Sequence, residues 1–283
     1  MRIYIRTRGR TIDYAFLGSE PASWWWKEFR DYTSFERPTL ILASDREGIR
    51  CMITGIPSTT RRDRVGSVIR YSLVLECGAA DRQQGKASIS KLVSAFLNMV
   101  SGGAAGQLSK VLDERFDEEG VECLFNLAPE ESLANVEKRL KGVLEGVQCL
   151  NALPSPDGMP QAEKFWVGRL SSAKARTAFG HRVAELLDCR EQGLAAHLNL
   201  IGSPAEAETF SAGYSSAALL LNDSPDIRGD DLVPIGKPSS KPKQPPPKPG
   251  MRRVAALVLL GLMGVLAIWV WLLARGPGPA PVL

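Results

Sequence analysis

The chain has 283 residues, 44% hydrophobic and 23% charged, with 35 lysines and arginines against 31 aspartates and glutamates and a formal charge of +4. This composition excludes a wholly disordered, collagen-like or mucin-like protein. At ~100–200 residues per domain, the length fits one large or two small folded units.

The first 76 residues read mainly as strands. Ile3 and Ile5 alternate with Arg2, Tyr4 and Arg6, a turn follows at Arg8-Gly9-Arg10, and Ile12, Tyr14 and Phe16 share a face, which predicts a hairpin. Trp24-Trp25-Trp26 opens a short amphipathic piece running to about Tyr32. Leu40 and Leu42, a turn from Asp45 to Gly48, and Ile49, Cys51 and Ile53 predict a second hairpin. Thr59-Thr60-Arg61-Arg62-Asp63-Arg64 reads as a loop feeding a fifth strand, with Val65, Ile69, Tyr71, Leu73 and Leu75 in a period of two.

The period then changes to that of helices. Ile89, Leu92, Val93, Phe96, Leu97 and Val100 follow helical spacing and stop at Gly102-Gly103, and Leu108, Val111, Leu112 and Phe116 form a second stripe broken by Asp117-Glu118-Glu119-Gly120. Val121–Asn126 reads as a strand, Pro129 opens a helix with Leu133, Val136, Leu140, Val143 and Leu144 on one face, and Val147–Leu150 reads as a strand again. That order predicts a right-handed βαβ unit. A long helix is expected from about Ala162 to Cys189, then strands over 196–201 and 217–222 joined by a short helix near 205–210. The expected fold class is α+β, with an N-terminal antiparallel β-rich domain over 1–80 and an α/β domain over 81–232. A single fused α+β domain is the alternative.

Val254 to Ala274 are 21 residues without charge or proline, long enough as a helix to cross a ~30 Å hydrocarbon core. Arg252 and Arg253 precede this run, Arg275 follows it, and Trp269 and Trp271 lie where an interfacial belt would be. A transmembrane helix is therefore expected over 254–274, with a Pro/Lys-rich linker over 233–253 and a short non-cytoplasmic tail over 275–283. Six basic residues before the span against one after it place the N-terminal part in the cytoplasm, in a single-pass, tail-anchored topology at a membrane such as the bacterial inner membrane. Met1 to Arg10 lack the apolar run of a signal peptide. Pro242, Pro245 and Pro246 give a weaker PxxP reading of the linker.

Charge is laid out in blocks. Lys237, Lys241, Lys243, Lys248, Arg252, Arg253 and Arg275 are the charged residues after position 236, which leaves 28 basic and 31 acidic residues before it, a net of −3. Such a balance argues against nucleic acid as partner. Five cysteines without C-x-x-C spacing read as free thiols in a reducing compartment, and His181 and His197 are the only histidines. No metal ligand set, no cofactor motif and no catalytic group is assigned. Gly213-Tyr214-Ser215-Ser216-Ala217 only blurs into a nucleophile elbow, Ser101 to Lys110 lacks the ending of a phosphate-binding loop, and the carboxylates from Asp113 to Glu119 read as a polar helix end.

Arginine carries the binding prediction. Arg2 and Arg6 share a strand face with Tyr4, Arg61, Arg62 and Arg64 cluster before the fifth strand, and Arg70 points away from its apolar side. The planar guanidinium suits carboxylate and phosphate, so these six residues are the candidate ligand or partner site, together with Trp24 and Trp25. Replacing Arg61, Arg62 and Arg64 is expected to abolish capture while leaving the fold intact. The function expected is a tail-anchored, non-catalytic adaptor or sensor for a cytoplasmic protein or an anionic small ligand at the bilayer. One alternative is a membrane effector whose spans associate as a homo-oligomer, although Gly261 and Gly264 miss the G-x-x-x-G spacing. A membrane-anchored enzyme ranks last, because histidines and catalytic motifs are scarce.

Overall fold

Alternating apolar positions produce β1 (Arg2–Thr7), β3 (Thr39–Ser44) and β5 (Val68–Gly78) with a 3-10 helix over Trp25–Tyr32, while three bounds differ from expectation: β2 is only Ala15–Phe16, β4 (Gly48–Arg62) runs on through 59–62, expected as a loop, and Val65 lies in the turn before β5. The computed structural model describes residues 1–235 except Phe35, 103–105, 148–163, 223–225 and Arg228. Helices α1 (Arg82–Val100), α2 (Gln107–Arg115), α3 (Glu118–Asn126) and α4 (Pro129–Gly146) follow. The rest of the described chain forms β6 (Phe165–Arg169), α5 (Ala173–Asp188), β7 (Gly193–His197), α6 (Pro204–Ser211), β8 (Ser216–Leu221) and β9 (Val233–Pro234). The fold is mixed α+β.

The nine strands among the described residues belong to one sheet, ordered β2-β1-β5-β4-β3-β7-β8-β6-β9. Its first five strands are antiparallel, while β7 and β6 flank β8 in parallel. The seam between these regions is the antiparallel pairing of Leu40–Ser44 with Gly193–His197. The described residues on both sides of position 80 accordingly belong to one compact unit. One sheet face packs Ile5, Leu42, Cys51, Leu73 and Leu75 against α1 to α5. The other packs Tyr4, Ile41, Met52, Val74, Phe165 and Leu219 beneath Trp26, Phe29 and Ala207, from the 3-10 helix and α6. Chain order explains why α5 and α6 lie on opposite faces. The step from β6 to β7 and the step from β7 to β8 run in opposite directions along the sheet, so crossovers of one hand must pass on opposite sides.

Three local expectations are corrected. Val121–Asn126 is not a strand but part of α3: Asp117 caps that helix by accepting the Gly120 N–H, and Val121 and Leu124 turn to the core three residues apart. The expected βαβ unit around α4 therefore lacks its first strand. Val147 ends α4, and 148–150 lie outside the described residues. The single long helix from Ala162 to Cys189 is replaced by β6 and α5. Phe165 and Val167 face one core and Trp166 the other, a period of two that helical spacing masked, and Ser172 then caps α5 through the Ala175 N–H. The strand expected over 196–201 lies three residues earlier, in β7.

The seam is clamped at both ends by polar side chains. At one end the Arg82 guanidinium donates to the carbonyls of Leu187 (3.3 Å), Asp45 (2.9 Å), Gly48 (3.3 Å) and Cys189 and to Ser44 Oγ (2.7 Å). At the other, Asn199, 5% exposed, accepts the Ser34 N–H at 2.9 Å and donates to the carbonyls of Ser34 and Arg37 and to Thr39 Oγ1. Strand β4 bends where its register with β5 shifts between Ile53 and Ile56. Gly55 sits there at φ +72°, and a Cβ would lie 2.2 Å from the Arg37 carbonyl, so only glycine fits.

The transmembrane helix expected over 254–274 and most of the linker fall outside the described residues; among those residues no helix is long and apolar enough to cross a membrane. Exchanging Arg82 for alanine removes all of these hydrogen bonds at one end of the seam, so we expect a loss of about 2–4 kcal/mol, read as a lower urea midpoint. Lysine at position 82 should recover only part of it, since one ammonium cannot reproduce the fork.

Candidate functional site

Strand alternation sorts the predicted site residues onto different surfaces. Arg2, Tyr4 and Arg6 of β1 and Arg70, Ser72, Val74 and Glu76 of β5 share the face opposite α1 to α5, where Arg6 pairs with Ser72 and Arg2 with Glu76. Arg50, which the sequence reading passed over, completes a row on β4 beside Glu76. The same alternation that singled out Arg70 would have found it, because Ile49 and Cys51 turn to the helices.

Most guanidiniums on this face already have partners. Arg2 lies 3.4 Å from Glu76, which also accepts from Tyr4 Oη at 3.4 Å. Arg6 donates twice to the Tyr14 carbonyl, at 3.3 and 3.2 Å, and lies over the Tyr14 ring. Arg50 pairs with Asp45 at 3.0 Å beneath Trp25, its guanidinium 5.7 Å from that ring. Arg70 donates its backbone N–H to Tyr14 Oη, while its side chain reaches the Gly55 carbonyl at 3.5 Å and meets no acidic partner among the described residues.

Trp24 and Trp25 lie at the border of this face. Trp26 is buried, Trp24 stacks on it with centroids 5.4 Å apart, and Trp25 meets it edge-on at 5.6 Å. One indole thus enters the core and two remain half-buried. The 3-10 turn explains this: a three-residue repeat sends Trp26 and Phe29 inward and leaves Trp24 and Trp25 on the shoulder.

Arg61 departs most from expectation. Its side chain is 2% exposed, paired with Glu118 at 3.2 Å, donating to Thr7 Oγ1 and the Arg8 carbonyl, and 5.5 Å from the Tyr71 ring centre. The triple arginine exchange therefore cannot leave the fold intact, because one of its three members is a core residue. Beside it, Asp113 of α2 accepts from Ser58 Oγ (2.5 Å), the Thr59 N–H and Oγ1 (2.6 Å each) and Tyr71 Oη (2.8 Å). Sequence gave no signal for this contact, since Asp113 looked like one more carboxylate of a polar helix end.

Arg62 and Arg64 remain as surface groups at the tip of the β4–β5 hairpin. Arg62 is exposed and donates only to the carbonyls of Ser58 and Arg61. Arg64 is exposed and makes no hydrogen bond or ion pair among the described residues. Together with Arg70, they are hairpin guanidiniums without an acidic partner among the described residues. Such a set can hold a phosphate or carboxylate through charge-assisted hydrogen bonds.

The histidine and serines weighed for catalysis take other positions among the described residues. His197 is 2% exposed, its Nδ1 lies 2.8 Å from the Leu220 carbonyl, and burial lowers its pKa, so it packs as a neutral ring. Ser215 and Ser216 lead into β8 instead of following a strand, the reverse of a nucleophile elbow. Among the described residues no group of three or more His, Cys, Asp or Glu is placed to hold a metal ion.

Burial opposes the charge of Asp113, but the hydrogen bonds from Ser58, Thr59 and Tyr71 outweigh it and hold the carboxyl below the ordinary carboxylate range. A lowered folded pKa gives stability that is present above the unfolded value, near 3.9, and is lost as the pH falls through the folded one. Urea midpoints measured from pH 7 to 3 should therefore fall less steeply for Asp113→Asn than for the native chain. Arg61→Ala should lose about 2–3 kcal/mol at pH 7 by the same measurement. Compared with protein families, with curated proteins and with solved structures, the chain matches none.

Proposed function

We propose that this chain is a membrane-anchored, non-catalytic adaptor or sensor: residues 254–274 cross a bilayer once, the folded unit faces the cytoplasm, and its β4–β5 hairpin receives an anionic group of a protein or small ligand. The observation that supports the binding part most directly is the contrast among arginines. Arg2, Arg50 and Arg61 are neutralised by Glu76, Asp45 and Glu118, whereas Arg62, Arg64 and Arg70 have no acidic partner among the described residues. A folded domain ordinarily pairs or disperses its charges, so guanidiniums of one hairpin that meet no carboxylate suit an external anion. The apolar run 254–274, with its basic flank, supports the anchor.

Two measurements test the parts separately. The full chain should stay in membranes at high pH in carbonate and leave them only with detergent, and release by carbonate alone would overturn the anchor. Detergent-solubilised chain carrying Arg62→Ala, Arg64→Ala and Arg70→Ala should lose the ligand or partner that copurifies with the native protein, with an unchanged urea midpoint. Retained capture would remove the hairpin from the site.

A further inference from the structure

Asp63 organises the hairpin tip before anything binds. Its Oδ1 accepts the N–H groups of Val65 (3.0 Å) and Ser67 (2.7 Å), and its own N–H donates to the Ser67 carbonyl at 2.9 Å. Gly66, at φ +84°, returns its N–H to the Asp63 carbonyl at 3.0 Å. The other carboxylate oxygen of Asp63 is held by Arg8 Nη1 at 3.0 Å, which ties the turn to the chain just beyond β1. Four N–H groups and one guanidinium thus fix a turn whose outer residues, Arg64 to Ser67, are all exposed.

The apex of this turn is apolar. Val65 is 85% exposed, and the other exposed large hydrophobic among the described residues, Leu200, stands at 51%. A single exposed valine needs no explanation on its own. Here it caps a preorganised turn and has Arg64 immediately before it and Arg62 three residues before it, both without acidic partners. An apolar apex beside cations suits a partner that offers negative charge at its surface and an apolar layer directly beneath.

We propose that the β4–β5 tip docks on an anionic lipid surface, with Val65 entering the headgroup region and Arg62 and Arg64 bound to lipid phosphate or carboxylate. This rests on the anchored reading above, which supplies the geometry. The segment Gly236–Gly250 has fifteen residues, so even a fully extended chain there reaches no more than about 50 Å. The folded unit is thereby kept at high effective concentration near one bilayer, so a contact too weak to recruit a free protein is enough to hold a tethered one. An acidic protein face offers the charge but no apolar layer a side chain deep, which is why lipid is the occupant chosen.

The test uses the full chain in nanodiscs of phosphatidylcholine, with or without about a third phosphatidylserine, and a photoreactive benzoylphenylalanine in place of Val65 or, as control, Leu200. Retention in the disc after carbonate treatment is scored first and reads the anchor alone. Lipid adduct at position 65 should exceed that at position 200 at least fivefold in serine-containing discs. It should fall at least fivefold in phosphatidylcholine discs and in the Arg64→Glu variant, whose native side chain bonds to nothing that the fold needs. A retained chain with equal adduct at the two positions, or with adduct at 65 indifferent to phosphatidylserine and to Arg64→Glu, overturns tip docking and leaves the anchor standing. A chain that is not retained overturns the anchor and, with it, the tether on which docking depends.

Discussion

The pairing of β3 with β7 is the contact on which the rest of the architecture depends. Leu40–Ser44 and Gly193–His197 are separated by about half the chain, yet their hydrogen bonds make one sheet of the antiparallel strands before residue 80 and the parallel strands after 164. Without that seam each part would end in a bare apolar edge, since Leu42, Ala195 and their neighbours are buried. Long-range antiparallel pairing has a high loop-closure cost, and the structure compensates locally. Arg82 gathers carbonyls from both sides at one end of the seam, and Asn199 does so at the other.

The same economy of polar groups explains which arginines remain for binding. An arginine that lies between elements finds carbonyls and carboxylates there and becomes part of the fold, as Arg61 does between β1, β4 and α3. One that lies on a hairpin projecting past its neighbours, as Arg62 does, meets only carbonyls of its own hairpin and no carboxylate among the described residues. Strand β4 is fifteen residues long and β5 eleven, so their shared end runs beyond the shorter strands beside them. The register shift between Pro57 and Arg62 turns Ser58 and Thr59 toward Asp113 and anchors the base of the hairpin while the tip stays outside. Rigidity at the base and exposure at the tip thus have one structural origin.

Legibility in the sequence followed from how local each cause was. Strands β1, β3, β4 and β5 announce themselves through alternation, and helices α1 and α4 through clear stripes such as Ile89-Leu92-Val93-Phe96. Segment 121–126 misled because six residues with two apolar neighbours fit either period, and the capping role of Asp117 was read as a break. Segment 162–189 misled because a strand buried on both faces has no polar side, so β6 and α5 merged into one apolar stretch. Among the site residues, the outward direction of Arg2, Arg6 and Arg70 was readable from alternation, whereas the burial of Arg61 was not.

By itself, then, the sequence determined an α+β chain, the faces of its first strands, the uneven charge, and an apolar run of membrane-spanning length at 254–274. Each follows from composition or from spacing along a few turns of chain. Tertiary structure alone decided that both parts share one sheet, that Asp113 and Arg61 belong to the core, and that Arg62, Arg64 and Arg70 of the β4–β5 hairpin meet no carboxylate among the described residues. The physical reason is distance along the chain. A charge is neutralised by whatever the fold brings within a few ångströms of it, and for Arg61 that is Glu118, fifty-seven residues away.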